Sequence, residues 1–240
     1  MTARRYAAAG LIAGLIVAGL GETSIAATTG ADWKAGTAHV AITPDKPVWL
    51  AGYGHKRVPQ GKVHDLWLKA LALEDARGRR AVLITSDHQG MPKAMYETII
   101  EKIHERFGLD RRQIMLTFAH NHCGPRLRDD LVDYYPVEQE QVALVDEYSK
   151  LVEDMAADAA GRALAALAPA SLSAGEGTAT FAVNRRDNRE AEVPRMLAAG
   201  VPLKGPVDHS VPVLAVHDKA GRLMAVVFGY ACHPTTLDFT

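Results

Sequence analysis

The 240-residue chain lacks several features that would settle its class at once. It has two cysteines, Cys123 and Cys232, so one disulfide is the most it can form. It has no charge excess, with 27 Lys and Arg against 28 Asp and Glu, and so nothing that singles out nucleic acid or an anionic surface as a partner. It has no internal repeat and no low-complexity segment. Beyond the N-terminus no run approaches the ~20 apolar residues that a membrane span requires. The remainder is globular in composition and long enough for one sizeable domain or two small ones.

The N-terminus reads as a processing signal. Arg4 and Arg5 form a positive start, Tyr6 to Gly21 is uncharged and mostly Ala, Leu, Ile, Val and Gly, and Ser24-Ile25-Ala26 gives a small-x-small cleavage pattern. We read residues 1–26 as a secretory signal peptide and residues 28–240 as the mature domain. The apolar run is short for an uncleaved anchor. Little around the Arg pair supports a twin-arginine signal. The expected product is periplasmic or secreted, with no transmembrane anchor. Export permits a Cys123–Cys232 disulfide, but two buried small hydrophobes are an equal reading.

Periodicity predicts an α/β fold, with mixed β-sheets containing antiparallel hairpins and flanked by α-helices. Strands are expected at 37–43, 66–74, 81–85, 114–118, 211–216 and 223–231, and 170–183 reads as extended. Glu74 to Arg80 and Asp218 to Gly221 are polar hairpin turns. Met95, Ile99, Ile103 and Phe107 recur every four residues, between Pro92 at the first turn and Gly108 at the C-cap, and predict a helix. A second helix is expected over 138–167, with a stripe of Leu144, Tyr148, Leu151 and Met155. Residues 49–62 and 186–206 read as loops.

The chemistry concentrates in Leu116-Thr117-Phe118-Ala119-His120-Asn121-His122-Cys123-Gly124-Pro125. If the apolar run continues as a strand, alternation puts His120 and His122 on one face. Neutral imidazoles are common ligands of catalytic zinc, although solvated or core histidines share this pattern. A second apolar run ends in Cys232-His233-Pro234, 113 positions after His120. If the two strands are neighbours, His120 and His233 converge on one ion.

The ordered set Ala38-His39-Val40-Ala41-Ile42-Thr43-Pro44, Leu50-Ala51-Gly52-Tyr53-Gly54, Val63-His64-Asp65, Ala119 to Pro125, Val183-Asn184-Arg185-Arg186 and Tyr230 to Thr236 resembles the N-terminal catalytic domain of the neutral/alkaline non-lysosomal ceramidases. The resemblance implies a zinc amidase that hydrolyses the N-acyl bond of ceramide or a related N-acyl substrate by attack of metal-bound water. It implies His120 and His233 as zinc ligands, His122 as a catalytic neighbour and Arg185 as a contact to the polar head of a lipid-like substrate. The sequence departs from the family pattern in Ala119, Asn121 and Cys123, where the family has Thr, Thr and Ser. The resemblance also places a Glu and a Tyr ligand and a Gly-Asp-x-x-Pro-like loop after the last histidine, and the sequence stops at Thr240 before them. That predicts an incomplete catalytic domain with weak zinc affinity, unless His122 or a cysteine completes the ligand set. A zinc esterase on the same scaffold and a fragment that at most binds metal or lipid are the competing readings.

Several polar residues draw lesser expectations. Asp87-His88 follows a strand and is either a second contribution to the site or a strand-end pair. His64-Asp65 orders its loop. His55, Lys56 and Arg57 line an entrance or form a solvated basic loop. Asp208-His209 caps a strand.

Overall fold

The computed structural model describes residues 26–27, 33–130, 133, 135 and 138–234. Residues 1–25, most of the segment expected to be a signal peptide, lie outside the described residues, as do residues 235–240. The strands are β1 (Ala26–Ala27), β2 (Trp33–Ala41), β3 (Trp67–Glu74), β4 (Arg80–Ser86), β5 (Ile114–Phe118), β6 (Ala168–Thr178), β7 (Ser210–Asp218) and β8 (Leu223–Phe228). The helices are α1 (Lys93–Phe107), α2 (Gln139–Ala165) and the short α3 (Val193–Ala198). All strands join one mixed sheet in the order β5-β4-β3-β2-β6-β7-β8, with β1 paired to β6. Among the described residues only β4 and β5 run parallel, and α1 supplies the crossover that a parallel pair needs.

Local chemistry explains the elements that match the sequence expectation. In α1 the apolar stripe buries Met95, Ile99 and Ile103, and Gly108 takes the left-handed C-cap (φ 68°) that a β-carbon would disfavour. In both hairpins an aspartate closes the turn. Asp75 accepts the backbone N–H of Arg77 and Arg79, and Asp218 that of Ala220 and Arg222.

Helices α1 and α2 cover one part of the sheet. Leu68, Ala70, Ala72, Val82, Ile84 and Ile114 from the strands meet Ile99, Ile103, Ala156, Ala160 and Ala163 from the helices. Burial of each large aliphatic side chain contributes roughly 1.5–3 kcal/mol. Gly36 on β2 lets α2 approach closely, because a β-carbon there would lie 2.1 Å from the carbonyl oxygen of Ala163. This approach corrects the expected face of α2. The buried positions are Val145, Tyr148, Val152, Ala156, Ala159 and Ala163, whereas Leu151 is 49 % exposed. Small alanines face the sheet where the backbones come together; of the expected stripe Tyr148 is buried, Leu144 and Met155 pack partly buried at its margin, and only Leu151 falls off it.

The β2–β6 junction is short. It consists of Trp33↔Ala170, Lys34↔Pro169 and Ala35↔Ala168, and beyond it the rest of β2 pairs only with β3. The helix-backed strands β2–β5 and the hairpin-rich strands β6–β8 therefore meet at one corner. The β6–β8 part has its own small core of Ala35, Leu71, Ala170 and Val216.

Candidate metal centre

His120, His122 and His233 converge. The Nε2 atoms of His120 and His233 are 3.0 Å apart, and those of His122 and His120 are 3.2 Å apart. One ring nitrogen of each lies within 4.8 Å of the others, the only such group of three metal-ligating residues among the described residues. Two nitrogens bound to one tetrahedral zinc at about 2 Å stand roughly 3.3 Å apart, so the spacing fits a shared ion. The tautomer of His120 fits as well. Its Nδ1–H donates to the carbonyl oxygen of Gln89 at 2.7 Å, which leaves the Nε2 lone pair facing the cluster.

The route to this convergence differs from the expectation in two ways. First, β5 ends at Phe118, and His120 has a left-handed backbone with φ 56°. A turn after the strand, not strand alternation, aims His120 and His122 together. Second, β5 and β8 are not neighbours but the opposite edges of the sheet. Seven strands at ~4.8 Å spacing would put the edges of a flat sheet roughly 29 Å apart. The sheet must bend at its corner, and residues 229–233 beyond β8 must reach across. β8 itself stops at Phe228, five residues before His233.

The loop around His122 is braced from three sides. It pairs with residues 49–57 through Ala51 N–H to Gly124 O and Arg126 N–H to Trp49 O, both 2.8 Å. Gly52 packs so closely that a β-carbon would lie 2.7 Å from both Cβ and O of His122, and its φ of 115° disfavours any other residue. Further along, Arg128 pairs with Glu153 and Asp146 of α2, and its N–H donates to Ser149 Oγ. Asn121 donates to the Asp87 carbonyl and accepts the Cys123 N–H.

Burial first, then the charges of His233 and His120, lower His122 to about 4. Burial, then Arg185 and His120, lower His233 as well. At neutral pH both imidazoles are therefore uncharged, the form a metal requires. The charge of Arg185, an exposed residue, contributes to the lowering of both rings. The Nδ1 atoms of His122 and His233 are buried and have no hydrogen-bond partner among the described residues.

Other candidates fall elsewhere. His88 is fully buried and belongs to the core. Its Nδ1 contacts Ser86 Oγ at 2.6 Å and its Nε2 contacts Tyr148 Oη at 2.9 Å, while Tyr148 donates to the Ile42 carbonyl. Desolvation lowers His88 to about 4. Asp87 accepts the Trp67 N–H and supports the strand end. His64 and Asp65 are tied into their own loop. Asp208 accepts the Ser210 N–H. Both cysteines are free thiols. Of the two readings of His55 to Arg57, an entrance lining or a solvated basic loop, the second fails for Arg57, which is only 8 % exposed and touches the His122 segment. A mixed sequence of Lys56 and Arg57 gives no sign that one points out and the other in.

The fold and the cluster define an α/β domain with a three-histidine candidate metal centre. The sequence model of the neutral/alkaline non-lysosomal ceramidases, N-terminal, matches residues 33–240, and the chain belongs to that family. Two solved structures are similar in fold. One is a ceramidase complexed with C2, at 22% identity and TM-score 0.68, with 85% of this chain and 32% of that chain covered. The other is the neutral ceramidase from Pseudomonas aeruginosa, at 22% identity and TM-score 0.68, with 87% and 33% covered. The chain thus spans about a third of the length of these relatives. No curated protein matches it in sequence. No helix among the described residues is long and apolar enough to cross a membrane.

Proposed function

We propose that the chain belongs to an exported, zinc-dependent amide hydrolase that cleaves the N-acyl bond of ceramide or a related N-acyl substrate. The observation that carries this reading is the convergence of three imidazoles, with His120 fixed by the Gln89 carbonyl, in a chain of the ceramidase family. His120 and His233 are the proposed ligands. Zinc held there would polarise a carbonyl and supply an ionisable water near neutral pH. His122, uncharged and with Nε2 facing the same point, would accept or return a proton at that atom. Arg185 offers a planar fork of N–H donors to the polar head of a lipid-like substrate. Export to the periplasm or beyond rests on the Arg4–Ala26 signal pattern.

The test is metal analysis after equilibrium dialysis with Zn²⁺, followed by assay on matched N-acyl amides and esters. One zinc per chain, lost in His120→Ala and His233→Ala, with amide turnover supports the proposal. Turnover of esters alone assigns an esterase. Because the chain covers a third of its relatives, zinc without turnover assigns a metal-binding part of a larger catalytic unit. Failure to retain zinc refutes the metal centre.

A further inference from the structure

We infer that Arg57 is a positioning residue for His122, an inference that rests on the metal-centre reading above. Its guanidinium donates from Nη1 to the carbonyl oxygens of His122 (2.6 Å) and Ala51 (3.0 Å) and from Nη2 to Cys123 Sγ (3.3 Å). These contacts link the loop at residues 49–57 to the main chain immediately after the His122 Cα and to the neighbouring Cys123 side chain. The guanidinium also lies over the Tyr53 ring, 4.7 Å from its centroid, and that ring meets His122 edge-on at 5.2 Å. The backbone and the imidazole of His122 are thus held from one buried cation, one directly and the other through Tyr53. A planar fork reaches three acceptors at fixed angles, whereas an ammonium acts as a compact point charge and cannot hold the same set. Gly52, pressed against the His122 Cβ, shows how little room the segment has to shift.

The role is tested with Arg57→Lys and Arg57→Ala in the full chain. Three readouts are needed: the thermal melt, Zn²⁺ affinity by chelator competition, and the ¹⁵N ring resonances of the histidines in metal-free protein. In Arg57→Lys the His122 resonances should shift while those of buried His88 stay in place, and zinc affinity should fall about 10- to 100-fold, the range typical of lost supporting contacts. Added guanidinium should restore part of the affinity of Arg57→Ala. Unchanged His122 resonances and zinc affinity in Arg57→Lys overturn the assignment. So does a joint displacement of His88 and His122 in that variant, which marks a general structural loss. If the parent chain binds no zinc, the metal-centre reading fails, and the His122 resonances of the metal-free variants still decide the role of Arg57.

Discussion

His88 makes acid sensitivity a property of the core. The ring is fully buried between Ser86 and Tyr148, where desolvation disfavours its charged form. Tyr148 donates its proton to the Ile42 carbonyl, so it accepts from Nε2–H of His88, and Nδ1 accepts from Ser86. Desolvation holds the folded imidazole at about 4, against ~6.5 in an unfolded chain. Above pH ~6.5 neither state carries the proton and the full stability is present. As pH falls from ~6.5 towards 4, the unfolded state takes up a proton that the folded state refuses, and stability drops. At ~1.36 kcal/mol per pH unit for one proton, the loss across that window is about 3 kcal/mol. Other histidines and carboxylates titrate there too, so the assay is a difference. Urea unfolding is measured between pH 4 and 7.5 for the parent and for Ser86→Ala/His88→Phe. The double variant removes both members of one hydrogen bond and leaves the Tyr148–Ile42 bond intact, which keeps the cost of the change small. The parent should lose about 3 kcal/mol more than the variant between pH 7 and pH 4. Parallel stability curves would refute the assignment of a neutral, buried His88.

Gly52→Ala should cost at least ~2 kcal/mol in unfolding free energy, because positive φ is strained for a β-carbon and the new atom collides with the His122 main chain. It should also weaken zinc binding, and an unaltered melt would show that the loop yields freely. Zinc at a hundredfold excess over its Kd should stabilise the parent by about 2.7 kcal/mol in thermal or urea unfolding. A stabilisation that persists in His233→Ala would place the ion elsewhere. Val152→Ala should lose about 1.5–3 kcal/mol and Leu151→Ala less than ~0.5 in the same assay, and the reverse order would restore the original helix face. Zinc should slow amide exchange in β7 and β8 more than in α1, because the ion would tie the extension of β8 to that of β5. Equal protection in hydrogen–deuterium exchange would remove that argument.

What the sequence made legible is what its residues settle among near neighbours. The four-residue repeat of Met95, Ile99, Ile103 and Phe107 meets a turn residue at each end, and the helix follows. Asp75 and Asp218 close their hairpins with hydrogen bonds two and four residues away. The face of α2 was legible only in part, at Tyr148 and the margin residues Leu144 and Met155, because an Ala-rich helix offers no strong stripe and Gly36 on another element decides which side comes close. His88 was equally opaque: its partner Tyr148 lies 60 residues away in sequence and only packing joins them.

The histidine cluster combines both cases. Its residues are visible as two apolar runs that each lead into histidine, but β5 and β8 are not the neighbours that pattern suggests. Neighbouring strands would have made the cluster a feature of regular pairing, robust to anything short of unfolding. Opposite edges make it depend on the bend at the three-pair β2–β6 junction and on irregular segments at both ends. Irregular segments hold a geometry only when side chains and close backbone contacts fix them. That is why Arg57, Gly52, Asn121 and the Gln89 carbonyl surround two of the three imidazoles. The third, His233, has an unpartnered Nδ1 and no comparable brace among the described residues. It is therefore the imidazole whose position an ion would do most to fix, and the one through which metal binding would be felt by the rest of the sheet.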